Sequence, residues 1–310
     1  MRLALTFAAL LATTAPAQPQ GQSGPFTVQE TGRGYASLQA AVSAIGEGRG
    51  TIKIAPGRYG DCAVQEAGEI TFVSEVPGKA IFDRAICEGK ATLVLRGRGA
   101  KVDGILFMRT LVEDGNGAGI RLETGNLHVT NAMFIDGQCG ILTASFPQGR
   151  ITIERSTFAG LGKDPTGNGA HALYIGDYGS LRIVQSRFER GTGGHYVKVR
   201  APRIEILDSS FDDSQGRNTN YSIDISNGAS GRIAGNSFEQ GPNKDNYSTM
   251  IAVAPEGAEH SSAGLTIEGN KAWLSPGFKE RTTFVGNWSR DTVVMGNNEL
   301  ADRIAPIAQR

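Results

Sequence analysis

The sequence predicts an all-β fold, a single parallel β-helix solenoid preceded by one capping α-helix. Three observations support this. An eight-residue frame ending in an aromatic residue recurs along the chain, short strand patterns precede its copies, and glycine and asparagine mark the corners. Self-similarity at a spacing of about 20–50 residues is typical of solenoids and propellers. Propeller blades are longer and antiparallel, so the short repeats favour stacked parallel coils.

The recurring frame has a constant internal pattern. Its first and third positions are mostly aliphatic, and its sixth is small or polar. Five copies end in phenylalanine, at residues 127–134, 151–158, 181–188, 204–211 and 231–238, and two degenerate copies follow at 265–272 and 292–299. In a β-helix, where strands lie about 4.8 Å apart, equivalent positions stack into columns. We therefore predict a core column from Phe134 to Phe238 and a polar corner column from Ser156 to Asn297.

The first 24 residues predict export from the cytoplasm. Residues 1–17 contain one basic residue, Arg2, then an apolar run and the small-x-small sequence Ala15-Pro-Ala17, which together are typical of a secretory signal peptide. Neither this run nor any later one is long enough for a transmembrane helix. We expect residues 18–24 to be a linker, residues 25–310 to be the β-helix domain, and the mature protein to be secreted or periplasmic.

An amphipathic pattern follows the linker. Leu38, Ala41, Val42 and Ile45 have helical spacing, which predicts a helix at about residues 35–47 that covers the open end of the first coil. Residues 50–59 then have the pattern of a strand that leaves through a Pro-Gly corner.

These segments resemble a known superfamily. A helix containing SLQAAV followed by TIKIAPGRY is similar to the amino-terminal turn of pectate-lyase-like right-handed parallel β-helix proteins, and residues 127–298 resemble their repeat region. In combination, residues 87–90, 114–121, 194–200 and 221–224 are similar to a subgroup of secreted bacterial members to which no activity is assigned. The resemblance implies a right-handed β-helix. It implies less about activity, since such folds host many chemistries.

Charge and cysteine content limit the partners. The chain has 31 basic and 31 acidic residues, which argues against a nucleic-acid binder that relies on phosphate contacts. Cys62 and Cys87 are 25 residues apart, about one coil, so a disulfide between them and a set of buried thiols that includes Cys139 are both open. No cysteine or histidine pattern has zinc spacing, so we expect no metal.

One set of polar residues is predicted to share a face of the solenoid. When Leu173, Val197 and Ile223 point inward, their neighbours on three strands point outward together. The outward column is Arg121, Leu142, Tyr174, Lys198, Asp224, Ala252 and Phe284, and the column beside it is Glu123, Gly176, Arg200, Ser226 and Ala254. His171, His195 and Tyr221 stand at the starts of three of these strands.

The chemistry of this set fits β-elimination on an acidic, uronate-containing polysaccharide. Such a lyase neutralises a carboxylate, removes the proton beside it and protonates the leaving oxygen. Arginine provides paired donors for a carboxylate, and a lysine near another cation has its neutral form favoured.

The resemblance implies the roles, because superfamily lyases use a lysine or arginine base, often with calcium. On this analogy Lys198 is the base, Arg200 with Arg121 binds the carboxylate, and Tyr174 or His195 is the acid. His171 and Asp224 orient these groups, while Tyr196 and Tyr221 contact substrate. The acidic calcium cluster and paired-arginine motif of typical pectate lyases are missing, which argues against pectate as substrate and against calcium as cofactor.

Two other functions stay open. An inverting glycoside hydrolase would pair Asp224 with Asp177 or Glu256, because residues two coils apart are separated by ~9–10 Å. A non-catalytic glycan-binding or cell-envelope solenoid would use exposed aromatics such as Tyr174, Tyr196, Tyr221, Tyr247 and Trp288. In each case we expect a monomer with a polysaccharide partner. A purely structural interpretation makes Lys198 and Asp224 a surface ion pair and has both histidines bind corner carbonyls.

Overall fold

The computed structural model describes residues 24–162, 166–167 and 169–310. The predicted signal peptide and nearly all of the predicted linker lie outside these residues. The described chain is a parallel β-helix, as predicted, and each coil contributes one strand to each of three sheets. Among the described strands, the antiparallel pairs are β1 with β2 and β1 with β3. The other strand pairs are parallel.

The strands are numbered in chain order. Sheet 1 contains β1 (Phe26–Val28), β2 (Arg33–Tyr35), β3 (Arg49–Ile54), β6 (Glu69–Ser74), β9 (Gly99–Asp103), β12 (Asn126–Thr130), β15 (Phe146–Glu154), β18 (Tyr178–Val184), β21 (Arg203–Leu207), β24 (Ser230–Ala234), β27 (Leu265–Glu268) and β30 (Val294–Met295). Sheet 2 contains β4 (Gly57–Tyr59), β7 (Ala80–Asp83), β10 (Ile105–Met108), β13 (Met133–Ile135), β16 (Thr157–Ala159), β19 (Arg187–Glu189), β22 (Ser210–Asp212), β25 (Ser237–Gln240), β28 (Lys271–Leu274) and β31 (Glu299–Leu300). Sheet 3 contains β5 (Ala63–Gln65), β8 (Ala91–Leu95), β11 (Ala118–Leu122), β14 (Cys139–Thr143), β17 (Leu173–Ile175), β20 (Val197–Val199), β23 (Ile223–Ile225), β26 (Thr249–Val253), β29 (Thr282–Asn287) and β32 (Ile304–Gln309).

The predicted capping helix is α1, Leu38–Ile45. It begins after Ser37, whose hydroxyl accepts a hydrogen bond from the N–H of Ala40, and it ends at Gly46, which has a φ of 57°. Leu38, Ala41 and Val42 are buried against the first coil. These two end signals make the helix shorter than the predicted range of about residues 35–47, and its bounds coincide with the first and last apolar positions of the pattern.

The phenylalanine column runs through the core. Rings from Phe107 to Phe238 stack with centroid distances of 4.8–5.0 Å, and Phe82 extends the column towards the N-terminus. The predicted column is therefore confirmed and is longer than expected. Its spacing equals the distance between neighbouring strands, so each ring packs on the next at every coil.

A polar ladder forms the corner that precedes sheet 2. Each side-chain oxygen accepts a hydrogen bond from the backbone N–H of the preceding coil, from Ser156 to Asn270. The ladder ends in Asn298, so the prediction of Asn297 was wrong. The cause is a one-residue shift in the last coil, where Lys271 pairs with Glu299.

Cys62 and Cys87 are joined by a disulfide with a Cα–Cα distance of 5.6 Å. It connects the chain just before β5 to the turn just before β8. Cys139 is buried on β14 and takes no part in this disulfide. In the part of the chain that the structure describes, no helix has the length and apolar character that a membrane crossing requires.

Candidate functional site

The outward column of sheet 3 has the predicted register. Tyr174 pairs with Lys198, and Lys198 pairs with Asp224 on successive strands, while their neighbours Leu173, Val197 and Ile223 are fully buried in the core. Earlier coils place Arg121 and Leu142 in the same column, and the next coil places Ala252 there.

The prediction that Phe284 continues this column was wrong. Ala252 pairs with Gly286, and Phe284 packs inward against Phe238. A side chain at Gly286 has no room, since a Cβ atom there would lie 2.7 Å from Cζ3 of Trp288. The indole of Trp288 therefore lies over this part of the column.

A buried ion network occupies the centre of the column. Lys198 is 6% exposed and Asp224 is 1% exposed. The Nζ atom of Lys198 donates to Oδ2 of Asp224 at 3.0 Å and also to Oε1 of Glu256. Arg200 donates through Nη2 to the other oxygen of Glu256. The structural interpretation of Lys198 and Asp224 as a surface pair is wrong, because both side chains are covered.

This network determines the charge of Lys198. Burial lowers the pKa of Lys198, but Asp224 and Glu256 together outweigh it, so the pKa lies above its ordinary value. Burial also raises the pKa of Asp224, against the opposing effect of Lys198, while Lys198 and Arg200 overcome the burial of Glu256 and lower its pKa. The expectation that Lys198 is neutral and ready to act as a base is therefore not met. It is an ammonium ion held by two carboxylates.

Arg200 has each of its three nitrogens engaged. Its Nε donates to the hydroxyl of Tyr174 at 3.2 Å, Nη1 donates to Asn227, and Nη2 donates to Glu256. Two cationic groups lie near the Tyr174 ring, with Lys198 Nζ at 5.8 Å and Arg200 Cζ at 5.9 Å from its centroid. Both cations therefore lie within the distance at which a charged group interacts with an aromatic ring.

Asn227 and the contact of Glu256 were not part of the predicted lyase site. Asn227 follows directly after the Arg200 column, so its position one residue beyond Ser226 was a usable signal. Glu256 comes from the loop after β26 and was considered only as a hydrolase carboxylate.

The two histidines accept hydrogen bonds from backbone N–H groups and do not bind corner carbonyls through Nδ1. Nδ1 of His171 accepts from the N–H of His195 at 3.0 Å, and Nδ1 of His195 accepts from the N–H of Tyr221 at 3.2 Å. Burial lowers the pKa of His171 to about 4 and lowers the pKa of His195 as well. A neutral imidazole whose Nδ1 is an acceptor carries its proton on Nε2. For His195, Nε2 lies 3.3 Å from Asp224 Oδ2.

The aromatic candidates separate into buried and accessible residues. Tyr196 is 2% exposed, and its hydroxyl donates to Asp213 at 2.7 Å, so the prediction that it contacts substrate was wrong. Asp213 also binds the buried ammonium of Lys244, which makes this a core polar cluster that draws Tyr196 inward. Tyr174 and Tyr221 are partly exposed, and the Tyr221 ring lies 6.3 Å from the Trp288 ring.

A cavity of about 560 Å³ lies beside Tyr174 on the side of the earlier coils. Arg121, Tyr174, Asp177 and Arg200 are among its lining residues. Arg121 has an unused hydrogen-bond donor. Its Nε is buried, has no hydrogen-bond partner within the described residues, and lies 4.0 Å from Glu123. The cavity thus combines an available guanidinium with a phenolic hydroxyl that Arg200 holds in place.

The structure does not bring the proposed hydrolase carboxylates to one open site. Asp177 lines the cavity, whereas Asp224 lies beneath Lys198 and is nearly inaccessible. Glu256 and Asp224 both bind Lys198, so they share an ammonium where a hydrolase needs a water or a sugar. Within residues 24–162, 166–167 and 169–310, no group of three or more histidine, cysteine or acidic side chains is arranged to hold a metal ion.

No family model and no curated protein matches the chain. Three solved structures are similar to it. Pectate lyase Pel9A is 14% identical, with 89% of this chain and 75% of that chain covered and a TM-score of 0.50. A pectin methylesterase from Aspergillus niger is 12% identical, covering 96% and 93% of the two chains at a TM-score of 0.48. The Streptococcus pneumoniae surface protein and adhesin PfbA is 12% identical, covering 88% and 94% at 0.43. At these identities the likeness to the pectate lyase shows the parallel β-helix fold alone.

Proposed function

We propose that this protein cleaves an acidic, uronate-containing polysaccharide by β-elimination in the cavity lined by Arg121 and Tyr174. One observation carries the proposal. The buried Nε of Arg121 lacks a hydrogen-bond partner in the described chain, with Glu123 4.0 Å away, and Arg121 belongs to a cavity wall that also includes Tyr174. The two residues are two strands apart in one column, about 9–10 Å between backbones, a span that suits a sugar ring and its substituents.

Arg121 binds and neutralises the uronate carboxylate. A guanidinium offers two parallel N–H donors that match the two carboxylate oxygens. Neutralising this group makes the adjacent C–H proton easier to remove, because the carbanion-like transition state places more negative charge on the carboxylate. Arg200 is less suited to this task, since all three of its nitrogens already have protein partners.

Tyr174 replaces Lys198 as the proton-transfer group. In this step Tyr174 acts as the phenolate, whose oxygen accepts a hydrogen bond from Arg200 Nε and takes the proton from the carbon beside the carboxylate. The C–H electron pair forms a carbon–carbon double bond, and the bond to the glycosidic oxygen breaks. The phenol then returns its proton to that oxygen, so that Tyr174 ends the cycle as it began.

The buried residues behind Tyr174 have a positioning role in this proposal. Asp224 fixes Lys198 and lies beside His195, and Lys198 in turn lies beside the Tyr174 ring. The T-shaped contact of His171 with Tyr174, at 5.4 Å between centroids, limits the orientation of the phenol. Action on an extracellular polymer also accords with the predicted signal peptide.

The test is a lyase assay on polymers of galacturonate, glucuronate and mannuronate, followed through the absorbance of unsaturated uronate ends. We expect Tyr174→Phe to lower kcat by roughly 10²–10⁴-fold, the usual contribution of a proton-transfer group. Arg121→Ala should lower kcat/KM by about 10–100-fold, as the loss of a charged hydrogen bond implies. Matched controls are Tyr247→Phe, an exposed tyrosine outside the cavity, and Arg182→Ala, an exposed arginine on sheet 1.

Three results would contradict the proposal. Full activity of Tyr174→Phe would exclude the phenol as the proton-transfer group. New reducing ends without the absorbance would indicate hydrolysis. Binding of a polymer without any product would indicate a glycan-binding module.

A further inference from the structure

A second anion-binding position lies next to the cavity, and a side chain of this protein occupies it. Glu256 places one carboxylate oxygen on the ammonium of Lys198 and the other on the guanidinium of Arg200. Asn227 completes the position by accepting from Nη1 of Arg200. Hydrogen bonds from a cationic group to a carboxylate are among the strong ones, so two cations that converge on one carboxylate form a position suited to a bound acid.

We infer that Lys198, Arg200 and Asn227 form a binding site for a second uronate carboxylate, and that Glu256 is an internal occupant which this carboxylate displaces. The inference rests on the proposed function in naming a uronate as the ligand. It places the second acidic sugar one strand beyond Tyr174, on the side away from Arg121.

The charges of the site favour an exchange of one carboxylate for another. Asp224 compensates Lys198 permanently, since its side chain is only 2% exposed. Within the described residues, the ion pair recorded for Arg200 is the one with Glu256. If Glu256 leaves, the group of Lys198, Arg200 and Asp224 has one uncompensated positive charge, which a ligand carboxylate restores to neutrality.

Glu256 is also the member of the network that is easiest to remove. Its side chain is 42% exposed, compared with 7% for Lys198. It comes from the loop after β26 and reaches back two coils to Lys198, so rotation of its side chain leaves the strands of the wall in place. Its backbone N–H is held separately by the carbonyl of Ser226 at 3.0 Å, which keeps the loop itself attached.

The experiment measures binding of monomeric glucuronate by calorimetry to two variants of the mature protein, Arg121→Ala alone and Arg121→Ala with Glu256→Gln. The Arg121→Ala background removes the cavity guanidinium, so any gain comes from the second position. If Glu256 fills the site nine-tenths of the time, its removal should lower the apparent Kd about tenfold. Glucose should show no change, because it lacks a carboxylate.

Two further variants keep the result interpretable. Adding Arg200→Ala should abolish the gain. Glu205→Gln, which breaks an exposed pair with Arg182 on sheet 1, should give no gain. Far-ultraviolet circular dichroism of each variant verifies its folding, and Glu256→Ala provides a second removal of the carboxylate.

An unchanged or weaker affinity after both Glu256 substitutions would overturn the inference. Its failure is separable from that of the proposed function. A gain in glucuronate affinity in a protein that cleaves no polymer supports the binding site alone. Lyase activity without the gain supports the cavity mechanism and rejects the role given to Glu256.

Discussion

Replacing Lys198 by methionine should destabilise the protein, because it leaves the carboxylate of Asp224 buried without its ammonium partner. Asp224 is 1% exposed, and Oδ2 is held by Lys198 at 3.0 Å with His195 nearby at 3.3 Å. Removing one partner of a buried ion pair costs about 3–5 kcal/mol. Glu256 adds little to this cost, since it is well exposed and keeps Arg200.

The assay is equilibrium unfolding in urea at pH 7.5, with refolding checked from the denatured state. The double variant Lys198→Met/Asp224→Asn is the control. It leaves no buried charge without a partner, so it should recover most of the lost stability. The two single substitutions should therefore be strongly non-additive. A loss below about 1 kcal/mol for Lys198→Met, set against the 3–5 kcal/mol usual for such pairs, would refute the reasoning.

The pH dependence gives a second check with a defined sign. Burial raises the pKa of Asp224 above its ordinary value, and without Lys198 this pKa should rise further. A carboxyl whose pKa is higher in the folded state than in the unfolded state is favourable to folding when protonated. Its penalty therefore grows as the pH rises through the folded pKa. The difference between wild type and Lys198→Met should be smaller at pH 4.5 than at pH 7.5.

Three other outcomes follow from the structure. Phe188→Ala, in the middle of the stacked column, should cost about 3–5 kcal/mol in the free energy of unfolding, and a loss near zero would contradict the core assignment. The pKa of His171 is lowered to about 4, below its unfolded value, so this residue should reduce stability as the pH falls from about 6.5 towards 4; His171→Gln should weaken that dependence in urea titrations. Cys62→Ser/Cys87→Ser opens a loop with a sequence separation of 25 and should cost about 3 kcal/mol, measured against wild type with and without reductant.

The alternation of apolar and polar residues in the sequence was sufficient to predict the column of Tyr174, Lys198 and Asp224. A slip of one residue would expose Leu173, Val197 and Ile223 together, so the register is strongly determined. The degenerate coils near the C-terminus carry weaker phase information, which explains why Phe284 was misplaced. There the aromatic at the end of the frame is missing, and Trp288 covers the space above Gly286.

The environment of Lys198 was not predictable from the sequence. Its charge depends on Glu256, which arrives from a loop two coils away, and strand periodicity contains no information about where a loop side chain points. Tyr196 shows the same limit. It stands next to His195 in a strand-like pattern, yet Asp213 and Lys244 from other coils create a polar cluster that takes its hydroxyl inward.

The corner that precedes sheet 2 explains how the outward residues of sheet 3 can vary while the coils keep their alignment. There the serine and asparagine oxygens tie each coil to the previous one, while the residue before each of them adopts a left-handed conformation that turns the chain sharply. These bonds are local to the corner, whereas the segments that join sheet 2 to sheet 3 differ in length, from residues 136–138 between β13 and β14 to residues 213–222 between β22 and β23. A change in the length of such a segment should therefore alter the surface that a ligand contacts, while the corner bonds keep the coils aligned.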